Sequence, residues 1–271
     1  MRATALCALL MASVAAGGSH GEMHRLASQL NACAMGKTDV DVPALLEATD
    51  AFCGFLCRFG KFCGPSVGNV RGCMEKVENS RKSLRKRFPG SLASFQELLE
   101  CEKPVHKPNA VLADPSAAMG LLWIRRGLQY WADVFEQQAE QLKKCPSKTC
   151  SLTEQCAIAY KRTVGPFHGW IRCAMRAGHA PTPCRHYSRS LPPTKNEHAR
   201  MRACRGSRRA FSTALAMTPD WAVVRKRVGL PETDAELCKE LHELAAAFRA
   251  LCERMRNLHV ELELEDLRKS I

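Results

Sequence analysis

The stretch LLWIRRGLQYWADVFEQQAEQL, residues 121–142, carries the clearest indication of fold class in this sequence. Its largest apolar residues recur at spacings of three and four, the period of one buried helix face. They are Leu121, Ile124, Leu128, Trp131, Phe135, Ala139 and Leu142. A second apolar edge, about a quarter turn away, comprises Trp123, Gly127, Tyr130 and Val134. This pattern predicts a helix near the middle of a layered helical domain, or beside a ligand cavity.

The start of this helix is predicted from two residues upstream of the stretch. Asp114 is a favourable N-cap, and Pro115 sits where the first helical turn tolerates proline. We therefore expect the helix to begin at Pro115 and to continue to about Lys144.

A second long helix is predicted near the end of the chain. Thr233 and Glu236 have the spacing of a capping box. The apolar residues that follow alternate by four and three: Leu237, Leu241, Leu244, Phe248, Leu251, Met255, Leu258 and Leu262. Such a stripe suits a dimeric coiled coil, or a helix that closes a globular core. We favour the globular core, which is the commoner use of this pattern.

Shorter helices are predicted over residues 43–59, 66–87, 91–98 and 151–162, separated by glycine and proline turns. Hydrophobic residues make up 46% of the chain, which is enough for a substantial core, yet strand formers such as isoleucine and tyrosine are scarce. The predicted fold class is therefore all-α.

The chain begins with an apolar run, and residues 1–16 have the charge, length and small residues of a signal peptide. The run is too short to span a bilayer comfortably, and a buried amphipathic helix is the alternative. Residues 17–40 are predicted to be a linker, and residues 41–267 the folded domain.

Cysteine is abundant, with fifteen residues, and removal of the leader would leave an even number. An even number is compatible with disulfides in an oxidising compartment. The alternative is that helical cysteines act as small apolar fillers: Cys53, Cys57, Cys73, Cys156 and Cys252. No pair has the C-x-x-C spacing, and no metal site is predicted.

The net charge of +13 suits an anionic partner, such as a membrane surface or nucleic acid. Nine Arg or Lys residues against the single acid Glu197 concentrate +8 of this charge between residues 176 and 209. Within that region, residues 177–206 lack helical periodicity, contain several prolines, and are predicted to form an inserted basic loop. Tyr187 is the only Phe, Trp or Tyr in the loop, so the loop offers little for nucleic-acid bases to stack on. Attraction to an anionic membrane is therefore the simpler function to expect of its positive charge.

No enzyme signature is present in the chain: it has no nucleophile elbow, phosphate-binding glycine loop or zinc-protease motif. Two segments, LLWIRRGLQYWADVFEQ at 121–137 and AYKRTVGPFHGW at 159–170, instead strongly resemble the two signature helices of the glycolipid transfer protein family. They have the family's order and nearly its separation. The resemblance extends more weakly over residues 41–267, and it makes the basic loop an insertion that the family usually lacks.

The resemblance implies a two-layer, all-α sandwich with a lipid cavity between the layers. It implies a monomeric, non-enzymatic carrier without a cofactor that moves a sphingolipid between membranes. The head group would occupy a surface cleft and the tails an apolar interior. Family members usually work in the cytoplasm, whereas a cleaved leader would place this chain in the secretory pathway or outside the cell.

Individual residues take their expected roles from the same resemblance. Trp123 matches the residue on which a sugar ring stacks, Asn69 a residue that bonds sugar hydroxyls, and His168 the residue that bonds the ceramide amide oxygen. Trp170 matches a residue that dips into the membrane interface. Phe211 and Leu215 match residues that line the chain cavity.

Two family positions differ in this chain. Pro65 stands where the family has Asp, and Gly72 where it has Lys. Arg71 adjoins Gly72 and is a candidate head-group residue. Arg126 lies one helical turn from Trp123 and is a candidate for a phosphate or sulfate head group.

Family members that bind ceramide phosphate typically carry Arg at the position of Trp123, so the resemblance favours a glycosylated ceramide. Transfer of a ceramide phosphate is an alternative ligand preference. A module that senses lipid or binds a partner, and has lost transfer, is an alternative function.

Overall fold

The computed structural model of the chain describes residues 21–88, 90, 92–106, 112–144, 151–167 and 216–266. Within these residues the protein is built from α-helices and one two-stranded antiparallel hairpin, which confirms the all-α prediction. The helices are α1 (Glu22–Ala32), α2 (Val42–Phe59), α3 (Gly64–Arg85), α4 (Phe95–Glu102), α5 (Ala117–Lys144), α6 (Leu152–Arg162), α7 (Trp221–Val228) and α8 (Asp234–Glu261). The strands are β1 (Ala34–Met35) and β2 (Asp39–Val40). Single 3-10 turns occupy Lys61–Cys63, Lys103–Val105 and Gly165–Phe167.

The core forms where α5 packs against α8, α3 and α6. Every residue of the two predicted apolar stripes, from Leu121 to Leu142 and from Leu237 to Leu262, is buried. Because the stripe of α8 is covered by this chain's own helices, the structure supports a globular core and not the coiled-coil alternative. The predicted capping box is also present, with Thr233 Oγ1 accepting the Glu236 N–H at 3.3 Å.

The start of α5 differs from the prediction that placed its cap at Asp114. The helix begins at Ala117, and Ser116 Oγ accepts the Met119 N–H at 3.0 Å. The carboxylate of Glu102, at the end of α4, accepts the N–H groups of Ala117 and Ala118 at 2.8 and 2.7 Å. The cap thus comes partly from another helix, a contact that local spacing does not reveal.

Other predicted helices shift by a few residues. α3 begins at Gly64, two residues before the predicted start, and ends at Arg85. α4 is capped by Ser94, which accepts the Glu97 N–H at 3.0 Å, and not by the predicted Ser91. α6 follows Ser151 as predicted.

The segment predicted to be a linker, residues 17–40, contains α1 and the hairpin. Met23, Leu26, Ala27 and Leu30 are buried on one face of α1, which packs against α8 and α2. The prediction was wrong because this short helix has an apolar stripe of its own, and burying it against α8 stabilises it.

The nine cysteines within the described residues have free thiols, so the disulfide prediction is wrong for them. Cys53, Cys73, Cys156 and Cys252 are buried in helices, as the filler alternative predicted, whereas Cys57 is exposed. Burial raises the pKa of the Cys53 and Cys73 thiols to about 11, which makes them poor nucleophiles near neutral pH.

Helices α3 and α5 approach closely at Gly120. A Cβ atom there would lie 2.7 Å from the Cys73 carbonyl oxygen and 2.8 Å from Val77 Cγ2. We expect Gly120→Ala to lower the free energy of unfolding by about 1–3 kcal/mol, measured by urea denaturation, because the helices must separate.

Gly72 on α3 provides the matched control for this substitution, since no atom lies within 4 Å of the corresponding Cβ position. Gly72→Ala should raise the free energy of unfolding by about 0.5–1 kcal/mol through its higher helix propensity. Equal effects of the two substitutions would contradict the close contact at Gly120.

Candidate functional site

Trp123, Arg126 and Phe167 form a stack at the junction of α5 with the turn that follows α6. The Arg126 guanidinium carbon lies 5.0 Å from the Trp123 ring centroid and 3.6 Å from the Phe167 ring centroid. Trp123 is half-buried, while Arg126 is 2% exposed. A cation held between two aromatic faces fixes both rings, so the indole presents a defined surface at the edge of the core.

The guanidinium of Arg126 makes only some of the hydrogen bonds that it can donate within the described residues. One Nη donates to the Asp266 backbone carbonyl, whereas Nε and the other Nη have no hydrogen-bond partner among the described residues. Burial and the neighbouring Arg125 lower the pKa of Arg126 to about 10, which still leaves the side chain charged near neutral pH. The sequence predicted a head-group role for Arg126, and its guanidinium lies against Phe167 and against residues Leu262–Asp266, the C-terminal segment that follows α8.

Arg125 is neutralised by this C-terminal segment. One of its Nη groups donates to both carboxylate oxygens of Glu265, at 2.6 and 2.7 Å. The next residue, Asp266, is 1% exposed, and its carboxylate accepts the Leu112 N–H at 3.3 Å. Neither acid was predicted to belong to the site, because nothing local in the sequence links them to α5.

Helix α3 runs beside this part of α5. Trp131 Nε1 donates to Ser66 Oγ at 3.2 Å, and Val70 Cγ2 lies 3.3 Å from where a Gly127 Cβ would sit. Asn69 is therefore on the helix adjacent to Trp123, and it is exposed to solvent. The structure thus brings two of the predicted head-group positions onto neighbouring helices.

Arg71 makes a contact that the sequence did not predict. Its guanidinium pairs with Asp50 of α2 at 3.1 Å, and both side chains are about half exposed. An exposed pair of this kind contributes little free energy, so a ligand could replace Asp50 as the partner of Arg71 at little cost. The head-group role of Arg71 stays a prediction. Pro65 and Gly72, at the two departures from the family pattern, both lie on α3.

Aromatic rings fill the contact between α2, α5 and α8. Phe52 of α2 meets Phe248 of α8 at a centroid distance of 4.7 Å, and Phe59 meets Trp131 at 6.1 Å. Phe55 and Phe135 complete the cluster. The core between these helices is therefore apolar and filled by rings that meet mostly edge to face.

Several predicted positions lie outside the described residues: His168, Trp170, Phe211 and Leu215, together with the leader and the basic insertion. Their roles stay predictions. His168 follows directly after Phe167, the ring that stacks on Arg126. Phe167 itself was not singled out as a site residue, although it lies within the GPFHGW motif.

The arrangement is suited to binding. An aromatic surface, an exposed amide on the next helix and an apolar interior can hold an amphipathic molecule with a polar end. Among the described residues there is no cluster of metal-ligating side chains and no helix long and apolar enough to cross a membrane.

Comparison with known proteins gives one family and several solved structures. The family model named glycolipid transfer protein matches residues 40–187. The fold is similar to apo mouse ceramide-1-phosphate transfer protein, with a TM-score of 0.64, 15% identity, and coverage of 90% of this chain and 98% of that one.

An Arabidopsis ACD11 mutant complexed with ceramide-1-phosphate gives a TM-score of 0.63 at 14% identity, covering 92% of this chain and 98% of that one. The GLTP-fold of FAPP2, described as selecting simple glycosphingolipids, gives 0.59 at 15% identity, covering 88% and 94%. No curated protein matches the chain in a sequence comparison. The family match spans more than half of the chain, and the protein belongs to the glycolipid transfer protein family.

Proposed function

We propose that this protein binds one sphingolipid and carries it between membranes without chemical change, with a glycosylated ceramide as the favoured cargo. The observation that carries the proposal is the half-buried Trp123 indole, held by Arg126 on α5 beside the α3 helix that bears Asn69. A sugar ring can stack on an indole face, and an exposed amide can bond sugar hydroxyls that the wrong lipid would lack.

The hydrocarbon tails would enter the apolar interior near the aromatic cluster of α2, α5 and α8. Shielding each methylene from water is worth about 0.8 kcal/mol, so a carrier needs such an interior to extract the lipid. We propose that Phe211 and Leu215 contribute to this chamber, and that His168 bonds the ceramide amide oxygen.

Membrane contact is the second part of the proposal. Trp170 would enter the membrane interface, where an indole is favoured, and the basic insertion at residues 177–206 would attract anionic lipids. If the leader is cleaved, this contact would occur in the secretory pathway or outside the cell.

A ceramide phosphate is the second candidate cargo. The observation that favours it is Arg126, whose Nε and one Nη have no partner among the described residues. Charged hydrogen bonds from a guanidinium to a phosphate are strong when both are removed from water. The proteins named for ceramide-1-phosphate among the similar structures make this a specific alternative.

Vesicle transfer tests the function directly. The purified full chain is mixed with donor vesicles that contain fluorescent glucosylceramide, galactosylceramide or ceramide phosphate, and with unlabelled acceptor vesicles. We expect transfer of the glycosylated lipids to be fastest. If none of the three lipids is transferred and no lipid co-purifies, the carrier proposal is lost, and a binding module without transport becomes the better account.

Trp123→Ala should slow transfer of glucosylceramide by about tenfold, because the sugar loses its stacking surface, worth roughly 1.4 kcal/mol. Gln129→Ala on the exposed face of the same helix is the matched control, and it should leave the rate unchanged. Equal rates for the two variants, with equal thermal stability, would remove Trp123 from the site.

A further inference from the structure

The C-terminal segment Leu262–Asp266 turns back across α5. α8 ends at Glu261, and the Leu264 N–H then bonds the His259 carbonyl oxygen at 2.7 Å. Glu263 adopts a left-handed conformation, with φ of 62°, which reverses the chain. Leu264 and Asp266 are 2% and 1% exposed, so the segment is packed into the molecule.

This turn places the carboxylate of Glu265 against Arg125 and the backbone carbonyl of Asp266 against Arg126. Glu265 pairs with Arg125 through both carboxylate oxygens, and the Asp266 carbonyl oxygen accepts from Arg126. Both arginines are at least 96% buried, so neither charge is well screened by water. The two carboxylates also oppose the lowering of the Arg126 pKa, as expected if their charges act on that guanidinium.

The four side chains carry two positive and two negative charges, so the cluster that contains Arg126, the arginine stacked on Trp123, is close to neutral overall. We propose that Glu265 and Asp266 are specificity-determining residues, which act as internal counter-ions to Arg125 and Arg126 and make the site favour an uncharged sugar over a phosphate. This inference rests on the proposed function and names what sets its head-group preference.

The physical reason is the cost of bringing a further charge into a site whose charges already balance. A phosphate loses hydration on entering, and the two carboxylates offset the attraction of the two guanidiniums, so little net attraction compensates for that loss. A sugar brings no charge and loses less hydration free energy on entering the site. With one carboxylate removed, the same region would carry a net positive charge, and a phosphate would gain a partner.

The test compares three single variants that each remove one negative charge. Asp266→Asn keeps an oxygen that can accept the Leu112 N–H, and Glu265→Gln keeps the shape of the Arg125 partner. Glu263→Gln is the matched control, because Glu263 is on the same segment but pairs with the exposed Lys103 at 3.2 Å.

The measured quantity is the ratio of ceramide phosphate transfer to glucosylceramide transfer, using uncharged donor and acceptor vesicles. We expect Asp266→Asn and Glu265→Gln to raise this ratio by about tenfold, and Glu263→Gln to leave it unchanged. A wild-type protein that prefers ceramide phosphate would overturn the inference, and so would equal ratios for all three variants.

A double variant distinguishes an effect of charge from an effect of disturbed packing. Arg125→Gln combined with Glu265→Gln removes one charge of each sign, so the balance is that of the wild type, and the ratio should return toward the wild-type value. A ratio as high as that of Glu265→Gln alone would attribute the effect to disturbed packing and refute the charge argument.

A lipid-free measurement separates this inference from the carrier proposal. Melting temperatures are recorded with inorganic phosphate and with chloride at equal ionic strength. We expect phosphate to stabilise Asp266→Asn and Glu265→Gln relative to chloride, but not the wild type or Glu263→Gln. Loss of all lipid transfer with this phosphate effect intact would defeat only the proposed function, whereas absence of the phosphate effect would defeat the counter-ion role.

Discussion

Replacing Glu102 with alanine is expected to lower the free energy of unfolding by about 4 kcal/mol, as measured by urea denaturation. Glu102 is 3% exposed, and its carboxylate accepts the N–H groups of Ala117 and Ala118 at the start of α5. The Ser80 hydroxyl donates to the same carboxylate. Alanine would leave two buried helix N–H groups without an acceptor, at the end of the helix where a negative charge is most favourable.

His106 lies beside this carboxylate: its Nδ1 accepts the Ala113 N–H at 3.1 Å, and its Nε2 is 3.5 Å from Glu102 Oε2. Burial alone would raise the pKa of Glu102, but its neighbours hold that pKa below the ordinary value of 4.5.

Glu100→Ala is the control for Glu102→Ala, because Glu100 is exposed on the same helix and accepts from Gln96 of that helix. It should change the free energy of unfolding by less than about 0.5 kcal/mol. A loss below about 1 kcal/mol for Glu102→Ala would show that α5 does not depend on this cross-helix cap.

Acidification is expected to destabilise the protein through His259. This residue is fully buried, packs edge-on against Phe95, and has its Nδ1 2.7 Å from the Met255 carbonyl oxygen. Its Nε2 is 3.4 Å from the Ala118 carbonyl oxygen, so the shorter contact assigns the proton of the neutral ring to Nδ1. Burial and the nearby charge of Arg125 lower the pKa of His259 from 6.5 to about 3.

The direction of the effect follows from where the proton binds. Between pH 6.5 and 3 the unfolded chain protonates this histidine and the folded chain does not, so acid favours unfolding. The free energy of unfolding should fall by about 1.4 kcal/mol per pH unit in that window, reaching about 5 kcal/mol in total. Above pH 6.5 this contribution is constant.

Urea denaturation between pH 6.5 and 5 tests His259 without a contribution from Glu102, because the lowered pKa of Glu102 acts only below its ordinary value of 4.5. His259→Gln should be less stable but should lose the slope. His24→Gln, at an exposed histidine that contacts Glu243, should keep it. Equal slopes in the wild type and His259→Gln would contradict the buried neutral imidazole.

The periodic apolar spacing of the sequence determined much of the helical core. The stripes of α5 and α8 repeat at helical spacing over several turns, and all of their predicted members are buried. Which residues belong to each stripe follows from the 3.6-residue helical repeat, so it can be predicted from residues that are close in the sequence. The family motifs likewise depend on short contiguous segments, 121–137 and 159–170, which can be read without knowing which helices meet.

Contacts between distant segments were decided only by the tertiary structure. The cap on α5 comes from Glu102 on another helix, and the partners of Arg125 and Arg126 come from residues 140 positions later. The linker prediction failed for a related reason, since a helix as short as α1 is marginal alone and is held by packing on α8 and α2. Spacing along the chain predicts which face of a helix is apolar, but charge balance and capping at the site depend on which side chains the fold brings together.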